Sequence, residues 1–379
     1  MPRCISESGR KAPPTVRAPM RTLLLSPELF LGEGGIARIM RCYLKALCEN
    51  ATTNDRIDAL VLNDAPTTDP RLPRYSTPAL GQVIGCGRRK FEFIQQVFHL
   101  TSGVDRVICG HLHQLPLLWA SQCLRPGFRY YLVAHGIEVW RPYSLLETRA
   151  LLGAHRIFCI SEYTRRQLLR FCPTLDPARL LIVPNTLDPH LALNTNTESV
   201  RQSPSAGPEI LTVSRLTAAD SYKGIDTLIE AMPVILRELP LAQLRIIGGG
   251  DDTARLHELA ARLGVTASVH FTGLIDDESL RYEYAACDLF ALPSRREGFG
   301  LVYLEAMAFE KSCLAARAGG APEVVNDRVG ALADYGNIPE IAAAVLDLVR
   351  HPRHAAAIRQ HVESFAFPAF RTRLTTALA

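Results

Sequence analysis

The sequence predicts a two-domain α/β protein in which each half carries a parallel sheet with helices on both faces. Three observations lead there. The chain has 379 residues, too many for one ordinary core and about right for two domains of roughly 150–200 residues each. Short apolar runs alternate with amphipathic stretches, the βαβ pattern of a parallel sheet. The alternation stops in residues 190–208, rich in Asn, Thr, Ser and Pro like a connector, and then restarts.

Residues 1–19 contain Pro, Ser and Arg but no apolar run, so they read as a disordered lead and not as a secretory signal. The fold is expected to begin at Met20. In the first half, strands are expected at Thr22–Ser26, Asp58–Asn63, Arg106–Gly110, Tyr130–His135, Arg156–Ile160 and Leu180–Pro184. Helical periodicity lies between them at Gly35–Cys48, Lys90–Thr101, Tyr143–Leu152 and Glu162–Phe171. Ser161 stands at the N-cap of the last, with Glu162 in the first turn, where the helix dipole favours an acid. After the connector come strand Glu209–Ser214, helix Gly224–Leu239, strand Gln243–Gly248 and helix Thr253–Leu263. Strand Ser268–Thr272, helix Asp276–Ala286, strand Leu289–Pro293, helix Leu301–Phe309 and strand Ser312–Ala316 follow, with a last helix from Ile338. Two such halves imply a cleft, and open α/β sheets bind ligands outside the carboxyl ends of their strands.

Composition narrows the class. Hydrophobic residues make up 47% and charged residues 21%, normal for a soluble globular chain. No window holds the ~20 apolar residues of a membrane span. The ten cysteines are scattered singly, with no CxxC and no Cys/His spacing suited to zinc, which fits a reducing cytoplasm. Residues 1–190 hold 24 Lys/Arg against 15 Asp/Glu, and residues 191–379 hold 18 against 23. The basic half could attract an anionic ligand or the inner face of a membrane; an uneven but merely solvated surface is the plainer reading. No recognition helix, zinc finger or aromatic-plus-basic signature points to nucleic acid.

The strand-to-helix turns carry the candidate chemistry. From Pro293 to Ala308 a buried strand ends, a polar loop follows and a helix starts near Gly300. Gly298 and Gly300 allow a ligand close to the backbone, and free N–H groups at the helix start suit an anion. Glu297 precedes the helix; Glu305 lies one to two turns into it, where its carboxylate can accept hydrogen bonds from paired hydroxyls. Alone, Glu305 would read as a solvated helix position. Arg215 ends a strand and Lys223 precedes a helix, so two cations can face the cleft and neutralise a diphosphate without a metal. Gly248 to Gly250 form a glycine-rich turn that is not a GxGxxG fingerprint. Gly34 and Gly35 join the first strand to the first helix, either as a plain turn or as an anion cradle. His135 ends an apolar strand and is followed by glycine, so it should open onto the cleft, with Glu138 close enough to support it. His111 also follows a strand and could line a ligand pocket.

These motifs resemble glycosyltransferase family 4, retaining enzymes of the GT-B type, from about Met20 to the C-terminus. The resemblance rests on the paired glutamates Glu297 and Glu305 around Gly298, Phe299 and Gly300, on Arg215 with Lys223, and on the stretches Asp288–Ser294 and Gly319–Glu323. It implies two Rossmann-like domains facing across a cleft: an acceptor domain at 20–189, a linker at 190–208, and a donor domain at 209–364. Residues 365–379 would cross back onto the first domain. Glu297 and His135 would hold the donor sugar, Glu305 the ribose, and Arg215 and Lys223 the diphosphate. Gly34 and Gly35 would meet phosphate, Gly248 and Gly250 would border the base, and backbone from Gly298 through Phe299 and Gly300 to Leu301 would contact sugar or phosphate. Apart from the resemblance, their places beside the strand ends would set His111 and Glu138 on the acceptor side. Asn185 matches a family signature near the hinge, where a turn role is simpler. The stretch Glu310–Ala315 departs from the usual turn, which puts local geometry in doubt but not the donor residues.

The implied activity is hexosyl transfer from a nucleoside diphosphate sugar, of the UDP or GDP type, to an acceptor hydroxyl with retention. The leaving phosphate would take the acceptor proton, and neither a cofactor nor a metal is expected. A glycan or lipid-linked acceptor in cell-surface polysaccharide or glycolipid synthesis fits best. Sugar-nucleotide epimerisation and a non-catalytic sugar-nucleotide-binding role remain the alternatives.

Overall fold

The computed structural model describes residues 18–32, 34–190 and 207–379. Most of the expected lead and connector therefore lie outside the described residues. The first half runs β1 (Arg21–Ser26), α1 (Gly35–Glu49), β2 (Arg56–Val61), β3 (Leu80–Gly85), α2 (Lys90–Leu100), β4 (Arg106–Cys109) and α3 (Leu115–Leu124). It continues with β5 (Arg129–Ala134), α4 (Leu145–Gly153), β6 (Arg156–Cys159), α5 (Glu162–Phe171) and β7 (Leu180–Ile182). Its seven strands pair in parallel in the order β3-β2-β1-β4-β5-β6-β7.

The second half begins with β8 (Glu209–Val213), α6 (Ile225–Glu238), β9 (Gln243–Ile247), α7 (Thr253–Arg262), β10 (Val269–Gly273) and α8 (Asp277–Ala286). Then come β11 (Leu289–Leu292), α9 (Leu301–Ala308), β12 (Ser312–Ala316), β13 (Gly330–Ala333), α10 (Ile338–Arg350), α11 (Ala355–Glu363) and α12 (Phe367–Leu378). Six parallel strands form the sheet β10-β9-β8-β11-β12-β13. In both sheets the order reverses beside the first strand, the position where a doubly wound sheet opens a binding crevice.

Two strands and two helices escaped the sequence reading: β3, β13, α3 and α11. The strands are sheet edges. β3 is half exposed and includes Gly81 and Gln82, and β13 is built from small residues, so neither shows the continuous apolar run of a strand buried on both faces. The apolar residues of α3 nearly encircle the helix, which hides its period.

The last helix returns to the first half. Phe367, Phe370, Leu374 and Ala377 of α12 join the core of Leu24, Tyr43 and Phe158. Phe370 meets Tyr43 edge-on at 5.0 Å, and Arg371 pairs with Glu49 at 2.7 Å. After the second sheet the chain thus packs its last helix on the core of the first half.

Candidate active site

The turn from β11 to α9 is shaped by glycine. Gly300 caps α9 at φ +95°, and a Cβ there would lie 2.3 Å from the Tyr303 ring, so a side chain would break the turn. Glu297, just before it, accepts a hydrogen bond from Lys223 Nζ at 2.7 Å, with both side chains largely buried. Lys223 reaches this position because the 3-10 turn Ala218–Lys223 ends at Gly224, φ +76°, packed against the end of β11. A Cβ on Gly224 would come within 2.5 Å of the Pro293 carbonyl. The other cation, Arg215, is 74% exposed and pairs with Asp220 at 3.0 Å. Both cations are therefore balanced by acids, and an incoming diphosphate would compete for them.

Glu305 is buried, and both of its oxygens are engaged. Oε2 accepts from the Tyr284 hydroxyl at 2.9 Å, and Oε1 faces Arg38 Nη1 at 3.5 Å. Arg38 belongs to α1 in the other half and also holds Asp277 at 2.6 Å, so it spans the cleft. Gly34 caps α1 without a side-chain partner, and a Cβ on Gly35 would lie 3.6 Å from Leu301 Cδ1. The two helix starts, of α1 and α9, thus meet face to face.

The remaining glycines serve close backbone packing. A Cβ on Gly248 would collide with the Ser214 carbonyl at 1.7 Å, and one on Gly250 with the Leu216 carbonyl at 2.1 Å. This turn therefore braces the segment that carries Arg215. A Cβ on Gly298 would lie 2.3 Å from the His135 carbonyl, and one on Gly136, φ +128°, 2.9 Å from Gly298 Cα. Phe299 sends its side chain into the core, edge-on to Phe365 at 5.6 Å, and leaves only its backbone to the cleft.

On the first half, the His135 ring nitrogen Nε2 lies 2.9 Å from the Gly110 carbonyl, which selects the tautomer protonated at Nε2 and leaves Nδ1 as an acceptor. Burial holds its pKa down at about 4, so the ring is neutral near pH 7. Glu138 accepts the backbone N–H groups of His135 at 2.5 Å and Gly136 at 3.2 Å, which fixes the turn. Burial raises its carboxyl to about 7. His111 accepts the His113 N–H through Nδ1 at 3.2 Å, and burial with the nearby His135 lowers it to about 3.

Sequence reasoning missed Arg38, Asp277 and Tyr284 around Glu305. It also missed Glu28, whose carboxyl is raised by burial and by Asp64, against the pull of Arg215. Asp64 itself accepts the N–H groups of Leu29, Phe30 and Leu31 and shapes the loop below Gly34. Arg38, Asp277 and Tyr284 come from elements outside the turn that carries Glu305, so no local spacing could announce them; Glu28 lies in the loop of Gly34 itself, where only the glycines stood out. Among the described residues, no cluster of three or more His, Cys, Asp or Glu side chains is arranged to hold a metal ion.

Two doubly wound sheets facing across this cleft, with the last helix crossing back, form the GT-B fold. Solved structures share it: Anabaena Alr3699/HepE in complex with UDP-glucose superposes with a TM-score of 0.76 at 19% identity, covering 95% of this chain and 99% of that one. The lipopolysaccharide outer core galactosyltransferase WaaB superposes at 0.70, with 16% identity over 95% and 99% of the two chains. The chain belongs to the glycosyl transferases group 1 family, whose model matches residues 195–364. A GDP-mannose-dependent alpha-(1-6)-phosphatidylinositol monomannoside mannosyltransferase of Mycobacterium tuberculosis is 32% identical over 269 residues, 65% of this chain and 67% of the relative. Its counterpart from Mycolicibacterium smegmatis is 36% identical over 248 residues, but the match spans only 62% of that protein and 59% of this chain. The alpha-maltose-1-phosphate synthase of the same organism is 30% identical over 280 residues, 66% of this chain and 71% of the synthase.

Proposed function

We propose that this protein transfers a hexosyl group from a nucleoside diphosphate sugar to a hydroxyl of a glycan or lipid-linked acceptor, with retention at the anomeric carbon. The observation that carries the reading is the Lys223–Glu297 pair at 2.7 Å, placed at the start of α9 where the paired acids and a cation face one cleft. In the reaction Lys223 and Arg215 turn to the departing diphosphate and offset its charge. Glu297, freed from Lys223, accepts hydrogen bonds from the sugar hydroxyls, and neutral His135 accepts another through Nδ1. Glu305 holds the ribose. The leaving phosphate oxygen receives the acceptor proton on the face it departs from, so the glycosyl–oxygen bond breaks and forms on one side. Closure of the cleft keeps water from the donor.

GDP-mannose is the first donor to test, because two of the relatives above are named for it. A lipid-linked acceptor is supported by the rim of the first half. Phe91 is 74% exposed, and Leu145 and Leu146 stand open at the start of α4. Arg88, Arg89 and Lys90 lie beside Phe91. Exposed apolar side chains, one of them following three cations in the chain, suit an anionic membrane face. No described helix is long and apolar enough to cross a membrane. A thermal-shift screen of UDP, GDP, ADP and their hexose derivatives tests the reading. One nucleotide and its sugar should raise Tm selectively; no response to any of them would overturn it.

A further inference from the structure

The Gly319–Glu323 stretch has no role in the reading above, yet it joins the two halves. Glu323 sits on the 3-10 turn Ala321–Glu323 that follows β12. Its carboxylate crosses to the first half and accepts two backbone N–H groups at the start of α5, Glu162 N at 2.7 Å and Tyr163 N at 2.8 Å. These donors have no partner within their own helix, and they stand at its positive end. Ser161, the N-cap, accepts from Thr164 N at 3.1 Å and donates its own hydroxyl to the Gly298 carbonyl at 2.9 Å.

The same turn supports the donor loop. Gly320 N donates to the Glu297 carbonyl at 2.7 Å. A Cβ on Gly319 would lie 2.4 Å from that carbonyl oxygen, and one on Gly320 would lie 2.1 Å from the Gly298 carbonyl oxygen. The contact is therefore tight enough that the loop from Glu297 to Gly298 cannot shift without the Gly319–Glu323 turn. A continuous chain of contacts runs from the start of α5, through Glu323 and its turn, to the backbone of Glu297, whose carboxylate meets Lys223. Glu323 is exposed, so water can replace its partners when the halves separate and the contact can be broken and remade.

We propose that Glu323 is a positioning residue for glycosyl transfer: docking its carboxylate on the start of α5 sets Glu297 and Gly298 in place when the cleft closes. This rests on the donor-site reading above. It predicts a split between binding and turnover, because the nucleotide contacts assigned to Arg215 and Glu305 do not pass through Glu323: Arg215 pairs with Asp220, and Glu305 with Tyr284 and Arg38.

The test compares the full-length wild-type protein with Glu323→Ala and Glu323→Gln, using the nucleotide sugar that stabilises the wild type. Glu323→Ala should lower kcat for transfer by about tenfold to a hundredfold while nucleotide Kd stays within about threefold. Glu323→Gln, which keeps one acceptor oxygen, should recover part of the rate. The fraction of donor lost to water should rise in Glu323→Ala, since the cleft closes less firmly. An unchanged kcat overturns the proposal, and so does a parallel loss of kcat, nucleotide affinity and Tm, which would mark Glu323 as merely structural. A wild type that consumes no nucleotide sugar would instead overturn the transferase reading itself, so the two failures are distinguishable.

Discussion

Lys223 and Glu297, 74 positions apart in sequence, meet at 2.7 Å in a largely buried ion pair. The contact compensates each charged group. It also means that removing one partner leaves the other in a poorly solvated place. Lys223→Met should therefore lower transfer by about a hundredfold to a thousandfold, comparable with losing one preorganised donor to a developing anion. Single-turnover donor consumption checks this, and a loss confined to KM would argue against a role in departure of the diphosphate.

Glu305 tests the ribose assignment. Glu305→Gln should weaken binding of the free nucleotide by about tenfold or more, because a charged acceptor becomes neutral. Tyr284→Phe should cost about 1–3 kcal/mol of stability by leaving a buried carboxylate oxygen without its hydroxyl partner. Titration calorimetry and denaturant unfolding measure the two effects separately.

Acid sensitivity follows from the histidines at the carboxyl ends of β4 and β5. The folded protein keeps His135 and His111 neutral down to about 4 and about 3, whereas an unfolded chain protonates them below about 6.5. The unfolded state then binds more protons, so their contribution to stability falls as pH drops below about 6.5. Glu138 has the opposite sign: its raised pKa of about 7 favours the fold at low pH, and that contribution is lost as pH rises through about 7. Two histidines outweigh one acid, and stability should fall from about pH 6.5 to about pH 5. His111→Asn should flatten that slope in denaturant titrations.

The open rim gives a membrane prediction. The protein should co-sediment with vesicles containing anionic lipid and much less with zwitterionic ones. Replacing Arg88, Arg89 and Lys90 by serine should weaken binding at least about tenfold, since each surface cation contributes about 1 kcal/mol near an anionic leaflet. Arg89 contributes least, being paired with Glu92 at 2.5 Å. Phe91→Ser should weaken it further without altering turnover on a soluble acceptor.

Much of the fold was legible because buried parallel strands are written as unbroken apolar runs. β11 and β12 are buried along their whole length and were found within a residue of their ends. α5 matched from Glu162 to Phe171 because Ser161 marks its start. Edge strands β3 and β13 lack that signal. The candidate site followed the same division. Residues within one strand-to-helix turn, such as Glu297 and Gly300, could be read from spacing. The partners that complete them could not: Arg38 lies 267 positions before Glu305, and Glu323 lies 161 after Glu162. Such contacts exist only once two separate sheets have docked. Gly248 and Gly250, expected to border a nucleotide base, also pack so closely against Ser214 and Leu216 that neither position has room for a side chain.

The central claim is that the Glu297 carboxylate, set beside Lys223, holds the sugar during transfer. The direct measurement is the rate of glycoside formation by wild type and Glu297→Ala, using the nucleotide sugar selected by thermal shift and a lipid-linked acceptor. Glu297→Ala should lose at least about a hundredfold in kcat while keeping its fold and its affinity for the free nucleotide. Transfer by Glu297→Ala at the wild-type rate would contradict it.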